Sequence, residues 1–275
     1  MLQVTASHRA GSGTPLVLLH GFTDTWRAWS ALLPELEQRH DVFAPTLPGH
    51  AGADALAGPL SWDALVDAVA ASIDDQGFDG PVHLVGNSLG GWLALELAVR
   101  GRARSVVALC PGGGYEQGSK EAEQVAKFFR QTGHVLGLAA GRADLLAGRP
   151  GLRKLALRDL VAHPERVPPA QAAHMIRSAA GCELRDELIG LTEREHFGDL
   201  GPIDCPVRIA WGTEDRLLPP ARYSSRLRAL LPQAEWVDLP GLGHLPMWDD
   251  PDAVTRTILE VTEPAEASAP SAAQR

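Results

Sequence analysis

The sequence predicts an α/β fold: a mostly parallel sheet of about seven strands, flanked by helices, with a helical cap inserted. Three observations predict it. Short apolar runs alternate with helical stretches, the pattern of a parallel sheet covered on both faces. The segment 114–199 breaks that alternation: its apolar spacing is helical throughout, and a bare loop of such length does not suit a compact domain. A serine between glycines, at residues 86–90, stands where a strand gives way to a helix.

Taken in order, Leu2 to Ser7 form the first expected strand, and Val17 to Leu19 the second, ending in His20-Gly21. Further strands are expected at Asp41 to Leu47, Val82 to Val85, Ser105 to Cys110, Val207 to Trp211 and Glu235 to Leu239. Helical patterns fall at Trp26 to Gln38, Ser61 to Asp75, Leu89 to Arg100 and Ala221 to Leu231. Residues 1–113 and 200–262 then make the core domain and 114–199 the cap. The Ala-, Ser- and Pro-rich segment 263–275 reads as a disordered tail. In such sheets ligands bind beyond the carboxyl ends of the strands, so the chemistry belongs in the turns that follow them.

Composition agrees with one sizeable domain carrying an insertion: 275 residues, 45% of them hydrophobic. A net charge of −9 argues against a nucleic-acid surface, which needs a basic face. The cap carries balanced acidic and basic side chains, so the remainder holds the negative charge. Cys110, Cys182 and Cys205 show no CxxC spacing, so neither a metal site nor a disulfide framework is expected. The first residues lack a basic segment followed by an apolar run, and no apolar stretch approaches the ~20 residues that span a bilayer. No membrane partner and a cytoplasmic location are expected.

The chemistry centres on Gly86-Asn87-Ser88-Leu89-Gly90. A serine on a sharp strand-to-helix turn is pushed out of the sheet with its hydroxyl exposed, and flanking side chains would collide with neighbouring backbone. The hydroxyl needs an adjacent base to act as a nucleophile at neutral pH. In this arrangement the order along the chain is serine, acid, histidine. His134, His163, His174 and His196 fall in the cap, and His244 alone follows, in a Gly/Pro-rich loop after the last strand. Asp215 follows the Val207 to Trp211 strand and is the expected acid; Glu214 competes, and Glu116 is a remote alternative. The expected oxyanion donors are the backbone N–H groups of Leu89, after the nucleophile, and Phe22, after the second strand. His20 is expected to fix the Phe22 loop by hydrogen bonding.

Five motifs in order, HGF at 20–22, LPGH at 47–50, GNSLGG at 86–91, WGTED at 211–215 and GLGHLP at 241–246, resemble the α/β-hydrolase superfamily. The resemblance covers nearly the whole chain outside the cap and tail. It implies a Ser-His-Asp triad, a helical cap and no cofactor. Relatives usually read DLPGHG where this chain reads Thr46-Leu47-Pro48-Gly49-His50-Ala51, which loses an acidic residue and a glycine beside the expected site. Haloalkane dehalogenases of this superfamily use an aspartate nucleophile, whereas position 88 is serine.

The expected activity is hydrolysis of a small to medium apolar ester or related acyl compound. Carbon–carbon bond hydrolysis or lyase chemistry is the alternative on the same triad, and a non-catalytic ligand receptor is a further one. Phe128, Phe129, Leu136 and Met175 are the candidate pocket residues, with Val135, Leu138 and Ile176 beside them. Arg149, Arg153, Lys154 and Arg158 form a basic run in the cap that could steer an acyl carrier.

Overall fold

Strands β1 (Ser7–Gly11), β2 (Thr14–Leu19), β3 (His40–Pro45), β4 (Val82–Asn87), β5 (Ala103–Leu109), β6 (Val207–Gly212) and β7 (Glu235–Leu239) form one sheet. Their spatial order is β1-β3-β2-β4-β5-β6-β7. Every neighbouring pair is parallel except β1 with β3. The structure is a computed structural model and describes residues 2–195 and 198–267.

Helices complete the core: α1 (Leu33–Leu36), α2 (Trp62–Asp74) and α3 (Leu89–Val99) lie between β2 and β5. Between β5 and β6 the chain is helical: α4 (Lys120–Ala139), α5 (Ala143–Gly148), α6 (Pro150–Leu157), α7 (Pro169–Ala180) and α8 (Arg185–Arg194). Beyond β6 follow α9 (Pro220–Tyr223), α10 (Ser225–Leu230), α11 (Pro246–Asp249) and α12 (Pro251–Ala267). Among the described residues no helix is long and apolar enough to cross a membrane. The thiols of Cys110, Cys182 and Cys205 are free.

Both faces of the sheet are covered, so its strands read as continuous apolar runs rather than alternating ones. Along β2 the side chains still alternate in direction. Val17 and Leu19 pack with Leu65, Trp92 and Leu95 on one face. Leu16 and Leu18 pack with Trp29, Leu36 and Ile258 on the other. All four are fully buried, and truncating Leu16, Leu18 or Leu19 to alanine costs about 2–5 kcal/mol.

Three expectations are corrected. The first strand is Ser7–Gly11, not Leu2 to Ser7. It is an edge strand with little apolar content, held by Arg9 on Asp41 at 2.7 Å and His8 on Glu37 at 2.7 Å. Gly11 and Gly13, at φ 92° and 123°, turn the chain under the start of β3, where a Cβ would strike backbone carbonyls of His40 and Arg39. The expected helix from Trp26 to Gln38 is instead a 3-10 turn at Trp26–Trp29 followed by α1. Pro34 is the reason: inside one long helix its ring would clash with the Ser30 carbonyl, whereas near the start of α1 it is tolerated. Finally, α12 continues through Ala267, so residues 263–267 of the expected tail are helical; 268–275 lie outside the described residues.

Candidate active site

Ser88 joins β4 to α3 with φ 52° and ψ −116°, a conformation that costs an L-residue energy and persists only when its surroundings impose it. They do so here. The Ser88 N–H donates to the Leu109 carbonyl at 3.0 Å, and its carbonyl accepts from Gly112 at 2.8 Å. A Cβ at position 86 would overlap the Gly90 carbonyl, and one at position 90 the Leu19 carbonyl. Only glycine lets α3 leave the sheet so steeply.

Asp215 is buried in the turn after β6, and four N–H groups converge on its carboxylate. Oδ1 accepts from the backbone of Leu217 at 2.9 Å and Leu218 at 2.7 Å. Oδ2 accepts from the Trp211 indole at 3.2 Å and from His244 Nδ1 at 2.8 Å. The competing carboxylates lie elsewhere: Glu214 is exposed, and Glu116 pairs with Arg226 at 3.3 Å. Cys110 Sγ lies within 4.8 Å of both an Asp215 oxygen and a His244 nitrogen. Burial, and then the Asp215 charge, hold that thiol protonated, so it serves poorly as a metal ligand.

The His244 loop is tied on three sides. The Asn87 amide donates to the His244 carbonyl at 2.9 Å and to the Leu109 carbonyl at 3.1 Å, fastening the loop to the end of β4. Asp249 is buried and accepts from Gly243 at 2.7 Å, His163 at 2.7 Å and Ala162 at 3.0 Å. It thereby joins the histidine loop to the cap. The Leu245 N–H donates to the Leu160 carbonyl at 2.8 Å. The sequence motifs did not single out Asn87 or Asp249; Asn87 stands inside GNSLGG, but nothing local shows that its amide reaches residue 244.

The Phe22 loop is held by His20, whose Nδ1 donates to the Gly21 carbonyl at 2.8 Å while Nε2 accepts from Leu47 N–H at 2.8 Å. Burial keeps this imidazole well below its ordinary pKa, so it stays neutral. Burial also lowers His50 to about 4; its ring packs against His20 and Phe22. Thr46, standing where relatives carry an acid, donates to the Thr5 carbonyl at 3.3 Å.

Two cavities meet at Ser88. The smaller, about 50 Å³, is bounded by Leu89, Trp62, Tyr115, Val125 and Ile189. The larger, about 470 Å³, is bounded by His244 and by the expected pocket residues Phe128, Phe129, Leu136 and Met175, together with Val135 and Ile176. Phe22, Phe129 and Leu217 contribute to both. Leu138 is instead 78% exposed. Asp24 also faces the larger cavity; burial pushes its carboxyl up to about 6, although Thr25 N–H donates to it at 2.8 Å.

The basic run in the cap needs correction at one position. Arg153 is buried, with its guanidinium on the carbonyls of Ala147 and Pro164, so it offers no charge to a partner. Arg149, Lys154 and Arg158 are exposed, and Arg158 lies 3.4 Å from Asp159.

Comparison with known proteins places the chain in a family. The chain is 34% identical over 218 residues to the epoxide hydrolase EphH of Mycobacterium tuberculosis, covering 74% of this chain and 96% of that protein. It is 28% identical over 257 residues to a pimeloyl-[acyl-carrier protein] methyl ester esterase of Neisseria meningitidis, covering 90% of this chain and 76% of that one. A thermophilic esterase from Thermogutta terrifontis superposes with a TM-score of 0.73 at 26% identity, covering 94% and 93% of the two chains. Residues 16–257 match the model of the Alpha/beta hydrolase family. The chain belongs to that family.

Proposed function

We propose that the chain is a serine hydrolase that cleaves small to medium apolar carboxylic esters through an acyl-enzyme on Ser88. The observation that carries this reading is the pairing of His244 with buried Asp215 at 2.8 Å, with His244 and Ser88 lining one cavity. As Ser88 Oγ attacks the ester carbonyl, His244 Nε2 takes its proton. Asp215 holds the Nδ1–H tautomer and stabilises the imidazolium that forms. The N–H groups of Phe22 and Leu89 receive the oxyanion, a contribution worth several kcal/mol. His244 then passes its proton to the leaving alcohol. Water attacks the acyl-enzyme with His244 again as base, releasing the acid and restoring Ser88.

A relative named as an epoxide hydrolase brings ring opening forward as a second reaction. The chemistry of Ser88 opposes it. A hydroxyl that opens an epoxide becomes an ether, which has no carbonyl for water to attack, so the enzyme would stall after one event.

The test is labelling with a fluorophosphonate probe alongside turnover of p-nitrophenyl acetate. Wild-type protein is expected to label and turn over, and Ser88→Ala to do neither. Equal labelling of both proteins, or repeated turnover of styrene oxide, would overturn the reading. Turnover of a vinylogous diketone without any ester turnover would move the assignment to carbon–carbon cleavage.

A further inference from the structure

The two cavities at Ser88 differ about ninefold in volume and also in which neighbouring residue lines each. Leu89 borders the small one and not the large; His244 borders the large one and not the small. Four bonds surround the carbon attacked by Ser88: one to Oγ, one to the oxyanion, one to the leaving oxygen and one to the acyl chain. The leaving oxygen must stand where His244 can give it a proton, which puts the alcohol in the large cavity. The oxyanion turns toward Leu89 and Phe22. The acyl chain is then directed into the small cavity.

We propose that the favoured substrate is an ester of a short acid, acetyl or propionyl, with a bulky apolar alcohol. This rests on the reading of Ser88 as the acyl-forming nucleophile. Volume sets the limits. The space beside Ser88 is about 50 Å³ on one side and about 470 Å³ on the other, so only a short chain fits the first. The small cavity is lined by Trp62, Tyr115, Val125 and Ile189 among others, with no charged side chain to pair with a charged acyl end. The large one offers Leu136, Leu146, Met175 and Ile176 to an alkyl or aryl alcohol. Bonds balance in the ordinary way: the alcohol leaves with the proton taken from Ser88, and water supplies the hydroxyl of the released short acid.

Octyl acetate and ethyl octanoate are isomers with the same atoms on opposite sides of the ester, so they separate orientation from hydrophobicity. The wild-type protein is expected to prefer octyl acetate by at least about tenfold in kcat/KM. Ile189→Ala, which enlarges the small cavity, is expected to narrow that ratio by raising the rate on ethyl octanoate. Equal rates, or preference for ethyl octanoate in a reaction abolished by Ser88→Ala, would overturn the orientation while leaving the serine esterase intact. Failure of Ser88 to label or to turn over any ester would remove both.

Discussion

At the scale of single residues, the proposed mechanism divides the site into groups that react and groups that hold them. Asp215 lies on the boundary, because it makes no bond to substrate yet fixes the imidazole. Asp215→Asn is expected to lower kcat by up to about 10⁴-fold on p-nitrophenyl acetate, while Glu214→Gln stays near wild type. A large loss for Glu214→Gln with a mild one for Asp215→Asn would show the acid to be misassigned. Asp24 raises a different question. A carboxyl whose pKa rises from 3.8 to about 6 on folding withdraws stability as pH climbs through that interval. Asn at this position retains an acceptor for Thr25 and carries no charge. Asp24→Asn is therefore expected to raise the melting temperature by about 2–4 °C at pH 8 and by less at pH 5. Equal shifts at both pH values would show that burial of the charge is not the cause. The placement of Ser88, Asp215 and His244 in turns after strands was legible in the sequence, because each follows a strand in a fixed order. Asn87 and Asp249 were not, because their work is done by hydrogen bonds to residues far away in sequence, and such pairings leave no local pattern.

At the scale of elements, legibility followed burial. Strands β2 to β6 are sealed on both faces, and packing demands apolar runs that are visible in the sequence. Edge strand β1 meets water and relies on ion pairs, so its sequence, SHRAG, carries no apolar signal, and the apolar Leu2 and Val4 drew the expectation upstream. The C-terminal helix was obscured by its Pro264, which sits within α12 near its end. Asp249 links elements rather than residues, since it holds the His244 loop and the cap segment at residues 162–163 together. Asp249→Ala leaves three backbone donors without their acceptor, at about 1–3 kcal/mol for each one that stays buried. A lowered melting temperature is expected together with a lowered kcat in protein that remains folded. Asp249→Asn keeps one acceptor oxygen and should fall between. A variant that loses stability but keeps full kcat would show that the clasp does not position the histidine.

At the scale of the whole molecule, several histidines are buried as neutral groups. Burial lowers His50 to about 4, His83 to about 3 and His174 to about 4. His174 is bonded to Thr25 at 2.8 Å, and His83 to Ser105 at 2.7 Å, so each is built into the fold. Their folded values lie below the ordinary 6.5, so between about pH 6.5 and 4 the unfolded chain binds the extra protons. The stability they share in is complete above about pH 6.5 and drains as pH falls, each tenfold loss of proton affinity on folding corresponding to about 1.4 kcal/mol. His20 is lowered in the same way, while burial raises Asp24 and Glu96, which act with the opposite sign. Urea unfolding is expected to give a free energy that declines steadily from about pH 7.5 to about pH 5. A flat profile over that range would contradict the neutral state of these rings.

The insertion of helices α4 to α8 between neighbouring strands β5 and β6 has a consequence in time as well as in space. While the ribosome adds the intervening segment of roughly a hundred residues, β5 has its inner neighbour β4 and lacks its outer one. At about 5–20 residues per second that interval is roughly 5–20 seconds. Throughout it the nascent chain displays the open, apolar edge Val106–Leu109, a template for pairing with any other chain. Chains arrested before residue 207 should aggregate or recruit chaperones, and chains arrested after β7 has cleared the exit tunnel should not. The same insertion that walls the larger cavity thus sets a vulnerable interval in the birth of the protein.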